Sequence, residues 1–176
     1  MIGLVTGPAR SGKSAWAERL AASSRHPVTY LATGPALADD PAWQQRLARH
    51  RQRRPSAWGS EETGADLAQA LRRRSAPDQL LLVDSLGTWV AHQLELDETA
   101  WIQERDNLIA ALDQCRAAVL LVAEEVGWGV VPPTAIGGLF RDRLGELLEC
   151  IEPLCNGSWL VIRGRAFDLR DVGLLI

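Results

Sequence analysis

Of the nineteen lysine and arginine residues in this sequence, one alone is a lysine, and it sits inside Gly7-Pro8-Ala9-Arg10-Ser11-Gly12-Lys13-Ser14. That spacing fits G-x-x-x-x-G-K-[ST], in which glycines let backbone N–H groups turn toward a phosphate and the lysine reaches β- and γ-phosphate oxygens. A compact ammonium suits the task better than the broad guanidinium used everywhere else in the chain. Lys13 is therefore the expected catalytic cation, and the Ser14 hydroxyl a Mg²⁺ ligand. A chance glycine-rich turn before a helix is the competing explanation. The flanks weigh against it: Ile2-Gly3-Leu4-Val5-Thr6 reads as a buried strand, and strong helix formers follow Lys13.

A second group of residues carries a different chemistry. Arg46, Arg49, Arg51, Arg53 and Arg54 surround His50, and Pro55 closes the run. On a helix, Arg46, Arg53 and Arg54 share a face with His50. Crowded cations disfavour the imidazolium, leaving a ring nitrogen lone pair for nucleophilic attack, while the same arginines neutralise a triphosphate. A solvated basic helix face, or a patch for RNA or an acidic partner, would use the same residues. As a nucleic-acid site the patch is short and lacks interleaved aromatics.

Leu80-Leu81-Leu82-Val83-Asp84 is an apolar strand ending in a carboxylate, either a Mg²⁺ ligand or the cap of a following helix. Glu124-Glu125 precede Val126-Gly127-Trp128-Gly129-Val130-Val131-Pro132. Glutamates at that point can orient a hydroxyl or a metal-bound water. The two glycines make a loop that either closes over a large ligand or packs Trp128 on the core. Arg141-Asp142 reaches a phosphate or forms a surface ion pair, and His26 and His92 read as structural.

These residues need a scaffold. Near-continuous apolar runs at 28–32, 80–84, 118–123 and 158–163 predict further strands, with helices over 14–23, 40–53, 64–74, 88–94, 99–116 and 139–151. The alternation predicts an α/β fold, a mostly parallel sheet flanked by helices, in one domain spanning 1–176. Residues 166–176 are expected to add a hairpin strand after a turn at Gly164-Arg165. Ligands in such folds lie outside the carboxyl ends of the strands, which singles out Thr33-Gly34-Pro35, Asp84-Ser85 and the glutamate segment. The formal net charge of −3 gives no field for nucleic acid or an anionic membrane. Cys115, Cys150 and Cys155 have no C-x-x-C spacing and point to reduced thiols in a cytoplasmic protein. Neither a leader segment nor a membrane span is legible.

The order of Gly7 to Ser14, Tyr30-Leu31-Ala32-Thr33, Arg46…His50…Arg54-Pro55…Trp58…Glu62, Leu82-Val83-Asp84, the Glu125 to Pro132 run and Phe140-Arg141-Asp142 resembles a known family. It is that of the bifunctional adenosylcobinamide kinase/adenosylcobinamide-phosphate guanylyltransferases of cobalamin biosynthesis, and the likeness covers nearly the whole length. The resemblance implies a RecA-like P-loop NTPase fold and a homotrimer. It implies phosphorylation of adenosylcobinamide by ATP or GTP, then transfer of GMP from GTP through a guanylylated histidine, His50. It also implies that Gly7 through Ser14 hold phosphates, while Thr33, Arg51, Gln52, Arg53, Arg54, Glu62 and Asp84 line the guanine-nucleotide site. The sequence departs from the family at three places: Glu124 stands where asparagine is usual, Ala42-Trp43 replaces Glu-Met, and Leu148-Glu149 replaces Asn-Gln.

Overall fold

A computed structural model describes residues 1–34, 45, 48 and 54–174. Its centre is a seven-stranded sheet in the order β3-β2-β4-β5-β1-β6-β7. The strands are β1 (Ile2–Gly7), β2 (Val28–Ala32), β3 (Gly59–Glu62), β4 (Leu80–Asp84), β5 (Ala118–Glu124), β6 (Gly157–Ile162) and β7 (Arg165–Asp168). All neighbours run parallel except β6 and β7, which form an antiparallel hairpin.

The continuous apolar runs are explained by cover on both faces. Leu81, Val83, Val119 and Leu121 face one core, shared with α2 (Leu67–Arg73), α3 (Leu86–His92), α4 (Glu98–Asp113) and α5 (Ala135–Ile151). Leu80, Leu82, Leu120 and Val122 face the other, where α1 (Lys13–Ser23) contributes Ala17 and Ala21. Each central strand thus buries alternate side chains in opposite directions, at roughly 1.5–3 kcal/mol per large apolar side chain. On the first face the Trp89 and Trp101 rings meet at a tilt of 45°, their centroids 5.9 Å apart. Arg143 is buried beside them, its guanidinium donating to the Gln93 and Leu96 carbonyl oxygens at 2.7 and 2.8 Å.

Several elements differ from the expectation. β3 is a polar, mostly exposed edge strand, and charged residues on an edge discourage unwanted pairing while erasing the apolar signal. Arg73 and Arg74 bond to its Glu61, joining β3 to α2. Burial tends to raise the Glu61 pKa, but the bonds from Arg74 and Arg73 outweigh it and hold the carboxyl below its usual value. Helix α5 begins at Ala135 rather than 139, because Thr134 caps it by accepting from Gly137 N–H at 3.2 Å. The hairpin strand β7 ends at Asp168, which caps the short α6 (Leu169–Val172). The helix expected over 40–53 lies outside the described residues apart from Gln45 and Ala48, both helical.

Candidate functional site

The parallel register gathers the chemistry-bearing residues at one edge of the sheet. Gly7 on β1 pairs with Glu124 on β5, Ala32 on β2 pairs with both Asp84 and Glu62, and Asp84 pairs with Val122. The strands carrying the phosphate-loop motif, Asp84, Thr33 and Glu62 therefore all deliver them to the carboxyl edge.

The loop between β1 and α1 is tightly constrained. A Cβ at position 7 would meet the Val161 carbonyl oxygen and, at 2.7 Å, Ser11 Oγ, so only glycine fits. Arg10 and Gly12 have left-handed φ values of 59° and 100°. Such residues interrupting right-handed ones make the concave backbone that receives anions. Ser11 N–H donates to Pro8 O at 3.2 Å, Lys13 N–H to Ser11 Oγ at 3.3 Å, and Gly164 N–H to Ser11 O at 2.8 Å. The last bond comes from the β6–β7 turn, which props the loop from the side. Lys13 is only 7% exposed, and no ion pair holds it among the described residues. A cation so enclosed at the positive end of a helix is costly without an anion beside it.

Asp84 lies two strands away, across β5. Tyr30 O–H donates to its Oδ2 at 3.0 Å, and the Arg54 guanidinium lies 3.2 Å from the Tyr30 ring centroid. Burial, then the neighbouring Asp84 charge, pushes the Tyr30 pKa well above its ordinary 10, so the phenol remains a donor to the carboxylate. Asp84 and Ser14 offer a carboxylate and a hydroxyl, the hard oxygen donors that Mg²⁺ prefers. No cluster of three His, Cys, Asp or Glu forms a metal site among the described residues.

Thr33 is fully buried. Its hydroxyl donates to Ser85 O at 2.6 Å and accepts from Ser85 N–H at 2.9 Å, while His92 Nε2–H donates to its carbonyl at 2.9 Å. Glu124 closes this network: Ser85 Oγ–H donates to Oε1 at 2.8 Å and Gly87 N–H to Oε2 at 3.1 Å. Gly87 has no side chain because Glu124 occupies that space. The carboxylate thus ties the end of β5 to the first turn of α3, which Ser85 and Thr88 cap reciprocally. Nothing in the sequence order announces these contacts, since they depend on which strands are neighbours. Glu62 is exposed at the tip of β3 and Gly34 follows Thr33. Pro35, His50, Arg51, Gln52 and Arg53 lie outside the described residues.

A family model described as cobinamide kinase/cobinamide phosphate guanyltransferase matches residues 3–169. The chain belongs to this family. A bifunctional adenosylcobalamin biosynthesis protein CobP of Pseudomonas aeruginosa is 37% identical over 171 residues, covering 97% of this chain and 98% of the relative. CobU proteins of the same description from Escherichia coli and Salmonella typhimurium are 36% and 35% identical over 184 residues, covering 97% of this chain and all of each relative. Among solved structures, the RadB recombinase superposes with a TM-score of 0.51 at 19% identity, covering 90% of this chain and 73% of that one. A Pyrococcus horikoshii OT3 protein gives 0.58 at 7% identity, covering 96% and 85%. The fold is that of the RecA-like P-loop class. No helix among the described residues is long and apolar enough to cross a membrane.

Proposed function

We propose that this member of the cobinamide kinase/guanyltransferase family phosphorylates adenosylcobinamide with ATP or GTP and then transfers GMP from GTP to the phosphorylated corrinoid. The single observation that carries the proposal is the enclosed Lys13, held without an ion pair among the described residues at the carboxyl edge of β1.

In the kinase step the aminopropanol hydroxyl of the corrinoid attacks the γ-phosphorus, and the nucleoside diphosphate leaves. The loop from Gly7 to Ser14 grips the phosphates, with Lys13 stabilising charge that spreads over the equatorial oxygens. In the second step a ring nitrogen of His50 attacks the α-phosphorus of GTP and pyrophosphate departs. A phosphate oxygen of the corrinoid then displaces the imidazole, giving adenosylcobinamide-GDP. Dividing the transfer in two gives each displacement a good leaving group. Thr33, Gly34, Pro35, Arg51, Gln52, Arg53, Arg54, Glu62 and Asp84 are assigned to the nucleotide site. Thr33 acts through its hold on Ser85, next to Asp84. Ser14 and Asp84 would hold Mg²⁺, which when bound supplies neutralisation of phosphate charge. The functional assembly is a homotrimer.

Mass spectrometry after incubation with GTP tests the covalent step. One added GMP is expected on the wild-type chain and none on His50→Ala, which still phosphorylates adenosylcobinamide. Phosphorylation without any adduct would leave a simple small-molecule kinase, and a His50→Ala chain that still guanylylates would remove His50 from the chemistry.

A further inference from the structure

Between Val126 and Phe140 the chain carries no charged side chain, although 23% of its residues are charged. This segment leaves β5 beside the phosphate loop, where Glu125 N–H donates to Gly7 O at 3.0 Å. Val126 and Phe140 pack against the core at its two ends. Between those anchors its apolar side chains face outward: Trp128 is 61% exposed, Val130 94%, Val131 67% and Ile136 58%. A run of large apolar residues left in water next to a reaction centre marks a surface that something covers.

The glycines on either side of Trp128 sharpen the point. Gly127 and Gly129 are not left-handed, and a Cβ added to either would meet nothing within 4 Å among the described residues. Neither backbone strain nor crowding by the described residues calls for glycine at these positions. Close approach by a separate molecule, or a shift of the loop onto one, does call for it.

We propose that Trp128, Val130 and Val131 form the platform for the corrin ring of the acceptor substrate. This rests on the function proposed above and names where its larger substrate lies. The hydroxyl that attacks the γ-phosphorus ends one flexible arm of the corrinoid, so the ring must sit on surface bordering the phosphate loop. A broad ring fringed with carboxamides finds there an indole face and two branched aliphatic groups. The segment from Val126 to Phe140 itself brings no carboxylate or ammonium that would have to be stripped of water.

The test compares wild type, Trp128→Ser, the Trp128→Ser/Val130→Ser double variant and Trp128→Phe. Adenosylcobinamide binding is measured by equilibrium dialysis in the presence of a non-hydrolysable ATP analogue, with nucleotide KM in the kinase assay and molar mass by light scattering. Because these side chains already face water, folding is expected to be undisturbed, as circular dichroism will report. Loss of an aromatic anchor predicts a corrinoid Kd raised about tenfold in Trp128→Ser and further in the double variant. Trp128→Phe restores most of the affinity, while nucleotide KM and molar mass hold. An unchanged corrinoid Kd overturns the inference. So does a fall in molar mass with corrinoid affinity intact, which makes the loop an interface between copies. A wild-type protein that neither binds nor phosphorylates adenosylcobinamide overturns the proposed function as well, so the two failures are distinguishable.

Discussion

Tyr30 is the single tyrosine of the chain, which makes its proton directly observable. It is 3% exposed and donates to Asp84 Oδ2 at 3.0 Å. Burial and the Asp84 charge raise its pKa, against the opposing pull of Arg54. The folded value lies above the unfolded one, so the contribution to stability is fully present below about pH 10 and declines above it. Above that point the unfolded chain has lost a proton that the folded chain keeps. The unfolding free energy then falls by about 1.4 kcal/mol per pH unit from this group. Urea unfolding of wild type and Tyr30→Phe isolates the effect. Near neutral pH the wild type should lead by about 1.5–3 kcal/mol, the usual range for a hydrogen bond to a charged group. At about pH 11 that lead should be smaller by about 1.4 kcal/mol, and the folded protein should show no phenolate absorbance. A phenolate signal with a midpoint near 10 in the folded state, or a lead that does not change with pH, would refute the placement of this hydroxyl.

Substitutions at two further positions probe the same edge of the sheet. Glu124→Ala removes the acceptor of the Ser85 and Gly87 bonds and strands a buried N–H, so a loss of about 2–4 kcal/mol is expected in chemical denaturation. Glu124→Gln can accept from Gly87 and donate to Ser85 Oγ, and should cost about 1 kcal/mol; equal losses in the two variants would contradict the network. Lys13→Ala should lower kcat for both phosphorylation and guanylylation by about 10²–10³-fold with its melting temperature maintained or raised, since a buried cation is lost. A rate loss confined to one of the two reactions would mean that they do not share the loop.

What could be read from the sequence, and what could not, divides along the physics of contact. The loop from Gly7 to Ser14 is contiguous, so its motif carries its own geometry, including the left-handed turn at Gly12. Leu80 to Val83 and Ala118 to Ala123 were legible as strands because burial on both faces leaves no room for polar alternation. Gly59 to Glu62 pairs just as regularly, yet at an edge its side chains meet water and give no apolar signal. The Tyr30–Asp84 and Glu124–Ser85 contacts exist only because β2, β4 and β5 are neighbours, and strand order is not encoded in any local pattern. Gly137 and Gly138 hid the first turn of α5, where the Thr134 cap rather than helix propensity decides the start. The arginine-flanked His50 was legible as a constellation, and it lies outside the described residues.

The bond from Gly164 to Ser11 joins two segments far apart in the sequence. During synthesis the glycine-rich motif leaves the ribosome well before its side brace. A nascent chain still tethered beyond β5 would carry the glycine-rich motif without the hairpin that stiffens it. The motif therefore gains its full backbone support only after the sheet has acquired its antiparallel border.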